Sequence, residues 1–188
     1  MQSATVTPPD ANVAFTITAA GSADVQPLVM LVNSAYRGQS SRRGWTTEEH
    51  LLGGQRTDAA AIQRLIDTRN TVILVLRRDA AVCGCVLLEN QGDRVCYLGM
   101  LTVRPDLQAS GIGKRLLAAG EAWASEHFGS RYVEMTVIGL RQELIAWYER
   151  RGYAQTGEIR PFPYEDERFG LPKRDDLRFV VLRRAVAS

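Results

Sequence analysis

The segment Gln108–Gly113 has the composition of a turn that binds an anion. It follows an apolar run ending at Val103 and precedes a helical pattern that begins near Ile112. The first amide groups of a helix have no partner inside it, and the helix dipole adds partial positive charge there, so this junction suits a phosphate group. Gly111 and Gly113 would let the backbone approach such a group closely. The same glycines could also serve only a tight strand-to-helix turn.

Two other phosphate-binding motifs can be tested at this turn, and both fail. The dinucleotide-binding fingerprint requires a third glycine where this chain has Leu116. The Walker loop requires glycine where Gln108 stands and serine or threonine where Arg115 stands. The pattern that remains is Gln-x-x-Gly-x-Gly after Val-x-Pro.

The segment from Val103 to Leu117, VRPDLQASGIGKRLL, resembles the pyrophosphate-binding motif of the GNAT superfamily of N-acetyltransferases. In that family the turn wraps the pyrophosphate of acetyl-CoA, and the preceding strand hydrogen-bonds the pantetheine arm. The resemblance runs from about Val13 to Val186 and implies acetyl transfer from acetyl-CoA to a primary amine by direct attack in a ternary complex. The cofactor-binding residues that it implies are Met100, Leu101, Thr102, Val103, Gln108, Ala109, Ser110, Gly111, Ile112, Gly113 and Lys114.

The segment Ala146–Tyr153 resembles the second signature of the same family, an aromatic-Tyr pair followed by a charged turn and Gly-aromatic. Tyr148 aligns with the usual general acid, which would protonate the departing CoA thiolate. A thiol has a pKa of about 8.5 and tyrosine one of about 10, so the hydroxyl group keeps its proton at neutral pH. On the residues alone, Tyr148 could instead be a packing aromatic beside Leu144.

One position departs from the family pattern. Seven residues before Tyr148 the family often has an asparagine that contacts the cofactor, and this chain has Arg141. A guanidinium group could pair with a cofactor phosphate, because its planar donors suit that geometry. Arg141 could equally be a solvated residue at the start of a helix. We predict it as a cofactor-binding residue.

The acyl acceptor must lose a proton before it attacks, because an alkyl ammonium group titrates near about 10.4. Some family members place a glutamate on the fourth predicted strand, but Tyr97–Val103 contains no acid. Glu134, on the fifth predicted strand, is the predicted catalytic base. The alternatives are a chain of water molecules and the residues Glu89, Glu48, Glu49 and His50.

In such folds the acceptor is selected by the second helix and by the loop between the last two strands, here Ser41–Gln55 and Arg160–Asp175. Both segments combine aromatic and acidic residues, which would suit a cationic amine, either a small molecule or a peptide. The predicted acceptor-binding residues are Trp45, Glu49 and Tyr164. The same composition also fits an ordinary loop.

The charge balance excludes several classes of partner. The 23 Lys and Arg residues nearly balance the 21 Asp and Glu residues, so a net charge of +2 gives no large field for nucleic acid or an anionic membrane. No apolar segment approaches the roughly 18 residues of a membrane span, and the N-terminus lacks the pattern of a secretory signal. We therefore expect a cytoplasmic protein without a nucleic-acid or membrane partner.

The three cysteines are predicted to be packing residues. Cys83 and Cys85 would point to the same face of one strand, and a pair so placed could bind a metal ion. In a reducing cytoplasm, however, small buried cysteines are far more common. We predict no metal site.

Hydrophobic periodicity predicts a mixed α/β (α+β) fold in one domain of residues 13–188, after a flexible tail of residues 1–12. Strands are predicted at Val13–Ala19, Thr71–Arg77, Ala81–Glu89, Val95–Val103, Tyr132–Ile138, Ala154–Glu158 and Leu177–Val186. Helices are predicted at Val25–Tyr36, in two pieces at Thr47–Leu52 and Asp58–Thr68, and at Ile112–His127 and Gln142–Arg151. These elements would form a sheet of about seven strands flanked by about four helices.

The family resemblance adds three expectations to this fold. The fourth and fifth predicted strands should splay apart to admit the cofactor, with Gly99 as a candidate bulge position. The family is often dimeric, so the resemblance is compatible with a homodimer, although the sequence does not fix the oligomeric state. An acyl-CoA-binding sensor or interaction module without turnover is the alternative function on the same fold.

Overall fold

The computed structural model describes residues 15–37, 44, 47–166 and 170–186. Its strands are β1 (Phe15–Ala19), β2 (Leu52–Gly53), β3 (Thr71–Arg78), β4 (Ala81–Asn90), β5 (Val95–Val103), β6 (Tyr132–Ile138), β7 (Ala154–Pro161), β8 (Leu171–Pro172) and β9 (Arg178–Ala185). Its α-helices within these ranges are α1 (Val25–Tyr36), α2 (Ala59–Asp67), α3 (Ile112–Phe128) and α4 (Gln142–Glu149). The predicted mixed α/β fold is confirmed, whereas the predicted tail lies outside the described residues.

Seven of the strands form one mixed sheet, in the order β1-β3-β4-β5-β6-β9-β7. Neighbouring strands are antiparallel except for β5 and β6, which are parallel. This parallel pair is joined only between Val95–Tyr97 and Tyr132–Glu134. Beyond those residues the two strands separate, which confirms the predicted splay.

A bulge in β5 lies directly after Gly99. The register between β4 and β5 shifts between Cys85 and Leu87, so Met100 and Leu101 lie opposite a single residue of β4. Met100 has a φ angle of 49°, in the left-handed region. A bulge leaves its extra residue outside the hydrogen-bond ladder and bends the strand. β5 therefore changes direction where it has parted from β6.

A second bulge shows that the prediction of a common face for Cys83 and Cys85 is wrong. The register between β3 and β4 shifts after Leu76, which leaves Cys83 as an extra residue on β4. Cys83 consequently packs in the core beneath α3, whereas Cys85 packs on the side of α1. No residue pattern marks this bulge, so the alternation argument failed. Both side chains and that of Cys96 are buried and unbridged.

The helices cover both faces of the main sheet. α1 and α2 bury Val25, Leu28, Leu31, Val32 and Ile62 against one face. α3 and α4 bury Ile112, Leu116, Leu117, Ala124 and Ile145 against the other. Among the described residues no helix has the length and apolar character needed to cross a bilayer.

The predicted helical piece Thr47–Leu52 is not a helix. The Glu48 carbonyl accepts hydrogen bonds from the Leu51 and Leu52 amides in a turn, and β2 begins at once and pairs with β8. Both leucines are buried in a small apolar cluster with Phe162. Their partners lie more than 100 residues away in sequence, so the local pattern could not indicate this pairing. The second piece does form a helix, α2, capped by the Asp58 carboxylate.

We predict that Gly84→Ala destabilises the protein. A Cβ atom at Gly84 would lie 2.7 Å from Cδ1 of Leu116 and 2.8 Å from the Thr102 carbonyl oxygen, and that backbone atom cannot move aside. Overpacking of this kind costs about 1–3 kcal/mol of unfolding free energy, measured by urea denaturation. Gly21→Ala is the matched control, because a Cβ atom there meets nothing within 4 Å. Equal effects of the two substitutions would contradict the packing argument.

Candidate active site

Two cavities meet at the opening between β5 and β6. The larger one has a volume of about 360 Å³ and is lined by the start of α3. The smaller one has a volume of about 100 Å³ and is lined by both separated strands. Four residues line both cavities: Tyr36, Leu101, Leu144 and Tyr148. A molecule in one cavity therefore faces a molecule in the other across this group of side chains.

The turn between β5 and α3 is held in an uncommon conformation. Ala109 and Gly111 have φ angles of 67° and 84°, and few residues other than glycine adopt the left-handed region. The Gln108 side-chain amide donates to the Val103 carbonyl at 3.1 Å, and the Ser110 hydroxyl donates to the carbonyl three residues earlier. These side-chain contacts stabilise a backbone shape that the chain would otherwise avoid.

The first turn of α3 lines the larger cavity. Gly113 and Lys114 contribute to its wall. The Arg115 amide donates to the Gly111 carbonyl at 3.1 Å, and helical pairing starts there. The three preceding N–H groups are those that a helix cannot satisfy internally, so they are available to an acceptor in the cavity.

Arg151 adds a cation to this cavity that the sequence analysis did not identify. Its guanidinium carbon lies 3.5 Å from the centre of the Trp147 ring, and Nη1 donates to the Trp147 carbonyl at 2.6 Å. Its Nε atom is buried and has no hydrogen-bond partner among the described residues. Burial lowers the pKa of Arg151, but a guanidinium group stays protonated in proteins. Together with Lys114, it gives the cavity the chemistry of an anion site.

The structure brings most of the predicted cofactor-binding residues together. The larger cavity is lined by Leu101, Val103, Gln108, Ala109, Gly111, Gly113 and Lys114. The side chains of Thr102 and Ile112 are buried in the protein, and Ser110 is exposed beside the turn. Met100 and Arg141 line the smaller cavity instead. Arg141 is thus placed apart from the glycine turn where a phosphate contact was predicted.

Tyr148 lies between the two cavities and is only 6% exposed. Its ring makes edge contacts with Trp147 and Tyr153, at centroid distances of 4.9 and 5.7 Å. Burial raises the pKa of Tyr148 above its ordinary value, and the charges of Arg141 and Arg151 oppose that effect. No described residue forms a hydrogen bond with the hydroxyl group. Tyr148 therefore presents a proton-bearing oxygen at the junction of the cavities.

Tyr36 is a second tyrosine at this junction, and the sequence pattern indicated it only as the last residue of a predicted helix. Its hydroxyl group donates to the Leu101 carbonyl at 2.8 Å, in the bulge of β5. Burial raises the pKa of Tyr36 to about 12, so it remains neutral. This bond connects α1 to the strand that borders both cavities.

The smaller cavity is lined by polar and charged side chains as well as by apolar ones. The Tyr97 and Thr136 hydroxyl groups lie 3.1 Å apart and bridge the opening between β5 and β6. Of the residues that the structure describes, the charged ones that line this cavity are Glu48, Arg56 and Arg141. The Glu48 carboxylate is 2.8 Å from Nη1 of the buried Arg37.

The acids proposed as a base occupy different positions. Glu134 lines neither cavity: one carboxylate oxygen binds Arg160 at 2.8 Å, and the other binds Arg183 at 2.6 and 3.0 Å. Glu89 also lies outside the cavities, and burial raises its pKa. Of the acids considered, Glu48 lines the smaller cavity. The arrangement around Glu134 is that of a structural ion pair, so we leave this residue out of the chemistry.

Two of the predicted acceptor-binding residues lie apart from the two cavities, and Trp45 lies outside the described residues. Glu49 borders a surface groove with Lys173. The Tyr164 hydroxyl accepts a hydrogen bond from the Leu177 amide at 2.7 Å, and its ring packs on Phe162. Within the described ranges, no group of three or more potential metal ligands comes together.

Comparison with protein families gives one match. The model described as the Acetyltransferase (GNAT) family matches residues 41–153, more than half of the chain. No curated protein sequence matches.

Solved structures resemble the fold at low sequence identity. The yncA protein of Salmonella typhimurium, solved with its cofactor acetyl-CoA, has a TM-score of 0.68 at 16% identity, over 93% of this chain and 95% of that one. The ribosomal-protein alanine N-acetyltransferase of Escherichia coli has a TM-score of 0.66 at 14% identity, covering 93% and 96%. A spermidine N-acetyltransferase mutant of Vibrio cholerae has a TM-score of 0.67 at 12% identity, covering 93% and 95%. At such identities the likeness shows the fold alone.

We predict that Glu134→Gln lowers stability rather than the rate of any reaction at this site. The substitution removes the charge that binds two arginines at a buried position, and hydrogen bonds to charged groups contribute about 1.5–3 kcal/mol each. Thermal and urea unfolding measure the loss. Glu158→Gln is the control, since Glu158 also binds Arg160 but is far more exposed, and little change is expected. A stable variant with strongly reduced turnover would restore Glu134 as a base.

Proposed function

Because the chain belongs to the GNAT acetyltransferase family, we propose that it transfers the acetyl group of acetyl-CoA to a primary amine. The observation that supports this best is the position of Tyr148. Its side chain lines both cavities, so one proton donor faces a thioester in one cavity and an amine in the other. The two substrates would react in a ternary complex.

The larger cavity fits the pyrophosphate and pantetheine parts of acetyl-CoA. The pyrophosphate would accept hydrogen bonds from the orphan amides of Ile112–Lys114 and from the Lys114 and Arg151 side chains. The pantetheine arm would follow Leu101 and Val103, which line the same cavity. A bulge leaves its extra residue outside the hydrogen-bond ladder, and we assign a main-chain N–H group of the β5 bulge to the thioester carbonyl oxygen. The acetyl-CoA in the yncA structure supports this choice of ligand.

The proposed reaction forms a C–N bond and breaks the C–S bond of the thioester. The neutral amine attacks the carbonyl carbon, and the CoA sulfur leaves with the electron pair. Tyr148 donates its proton toward that sulfur; burial raises the pKa of Tyr148, so the hydroxyl group carries its proton before the reaction. The proton of the incoming amine passes to water in the smaller cavity, whose lining includes the Glu48 carboxylate.

A non-catalytic acyl-CoA-binding module is the alternative on this fold. The two functions differ in whether free thiol is released when the protein is incubated with acetyl-CoA and a panel of amines. Thiol release that depends on an amine, with an N-acetyl product by mass spectrometry, supports the enzyme. Tight binding of acetyl-CoA without release across cationic, neutral and anionic amines would favour the binding module.

We predict that Tyr148→Phe lowers kcat by about 10²- to 10⁴-fold, the usual contribution of a general acid, and changes the Kd for acetyl-CoA little. The ring contacts with Trp147 and Tyr153 would be retained, so only the proton donor is lost. Steady-state kinetics and calorimetric titration measure the two quantities.

Tyr153→Phe is the matched control for Tyr148→Phe. The Tyr153 hydroxyl donates to Glu121 at 2.9 Å and lines neither cavity, so its removal should leave kcat within a few fold. Equal losses of kcat in the two variants, or a loss of acetyl-CoA affinity that matches the loss of kcat, would contradict the acid role.

We predict that Arg151→Gln weakens acetyl-CoA binding by about tenfold or more, as expected for one charge-assisted contact to a phosphate. The effect should shrink as ionic strength rises, because screening weakens the contact in the wild type. Calorimetric titration at two salt concentrations tests both points. Arg150→Gln removes the same charge from an exposed neighbour outside the cavity and should change Kd little. If both variants bind equally well, Arg151 is not a phosphate ligand.

A further inference from the structure

The charges around the smaller cavity bear on the identity of the acceptor. Among the described residues, two guanidinium groups, those of Arg56 and Arg141, line it together with one carboxylate, that of Glu48. Arg37 already neutralises Glu48 at 2.8 Å. A ligand in this cavity therefore meets an excess of positive charge.

We propose that the acceptor is an amine that also carries a carboxylate, and that Arg56 binds this carboxylate. The inference rests on the proposed acetyl transfer and names the substrate class for it. It differs from the cationic amine predicted from sequence: of the acids in the two segments that suggested one, Glu49 and Glu165 line neither cavity, and Glu48, which lines the smaller one, is already paired with Arg37. A second ammonium group would be repelled by the two guanidinium groups.

The backbone of Arg56 is fixed by hydrogen bonds from α1. Oδ1 of Asn33 accepts from the Arg56 amide at 2.7 Å and from the Thr57 amide at 3.2 Å, and Nδ2 donates to the Thr57 carbonyl at 2.9 Å. Asn33 is one helical turn before Tyr36. The segment that carries Arg56 is thereby held against the helix that supplies a wall of the cavity.

The side chain of Arg56 contacts the Tyr36 ring, but no described carboxylate neutralises its charge. Its guanidinium carbon lies 5.8 Å from the centre of the Tyr36 ring, within the range of a cation–π contact. In the part of the chain that the structure describes, no carboxylate forms an ion pair with it. A planar guanidinium group presents paired donors that match the two oxygens of a carboxylate.

Arg141 adds a second guanidinium group to the lining of the smaller cavity. The residue is 2% exposed, and its Nε donates to the Glu143 carboxylate at 2.6 Å. Glu143 itself is largely exposed, with 58% of its side chain accessible, so solvent screens its charge more than that of Arg141. Burial in a medium of low dielectric strengthens the field of a charge.

The size of the smaller cavity narrows the class of acceptor further. The smaller cavity has a volume of about 100 Å³, against about 360 Å³ for the larger one, which favours a compact acceptor. The amino group would lie toward Tyr148 and the carboxylate toward Arg56, since both residues line this cavity. A small amino acid meets these requirements.

Matched pairs of acceptors test this inference. The wild-type protein would be assayed with L-alanine against L-alaninamide, L-leucine against L-leucinamide, and putrescine, with rates expressed per deprotonated amine. We expect kcat/KM to be at least about tenfold higher for each carboxylate than for its carboxamide, with putrescine the poorest acceptor. Mass spectrometry identifies the N-acetyl products.

Variants at Arg56 test whether its guanidinium group binds the carboxylate of the acceptor. Arg56→Gln should lower kcat/KM for the carboxylates by about 10- to 100-fold, mainly through KM, while KM for acetyl-CoA and kcat/KM for the carboxamides stay within a few fold. Arg56→Lys should recover part of the loss. Arg64→Gln, which removes an exposed arginine of α2 that lines neither cavity, should preserve the preference.

Three other outcomes would overturn the inference that the acceptor carries a carboxylate bound by Arg56. Preference for carboxamides or putrescine overturns it and leaves the acetyl transfer intact, as do equal losses for both members of each pair in Arg56→Gln. Binding of acetyl-CoA without acetylation of any amine overturns the proposed function and this inference together. If circular dichroism shows that Arg56→Gln is unfolded, the preferences of the wild type and of Arg56→Lys decide instead, and an unchanged preference in Arg56→Lys overturns the role of the guanidinium group.

Discussion

The parting of β5 from β6 is the constraint on which the rest of the molecule depends. Main-chain pairing between these strands ends after three residues, so the interior of the sheet contains backbone and side-chain polar groups that need other partners. The Tyr36 hydroxyl satisfies the Leu101 carbonyl, and the Tyr97 and Thr136 hydroxyl groups satisfy each other across the gap. The opening in the middle of the sheet is stable because side-chain hydroxyl groups form hydrogen bonds where main-chain pairing between β5 and β6 is missing.

The electrostatic character of the site is local. The whole chain has a net charge of only +2, yet among the described residues the two cavities are lined by four cations, Lys114, Arg151, Arg56 and Arg141, and by one carboxylate, that of Glu48. Glu48 is paired with Arg37, and Arg141 with the more exposed Glu143. Elsewhere, acids and cations balance one another in ion pairs such as those of the buried Glu134 with Arg160 and Arg183. A field of one sign, confined to a partly desolvated opening, acts on bound groups more strongly than the total charge suggests.

Contiguous motifs made part of the site predictable. The glycine turn and Tyr148 could be identified because their residues are adjacent in sequence and their spacing is set by one turn or one helix. Three other residues of the cavities could not be identified from sequence: Tyr36, Arg56 and Arg151. They reach the cavities through tertiary packing. A tyrosine at the end of a helix or an arginine in a charged turn has no distinctive spacing. The bulge at Cys83 and the pairing of β2 with β8 were hidden for the same reason.

The Asn33 side chain fixes main-chain groups and makes no demand on the side chain at position 56. Its three hydrogen bonds end on amide and carbonyl groups of Arg56 and Thr57, which residues other than proline would also offer. The segment can therefore exchange the side chain that faces the smaller cavity and keep its own path. The contact proposed for the acceptor can therefore change by a single substitution at that position without altering the hydrogen bonds that hold the segment or the residues that line the larger cavity.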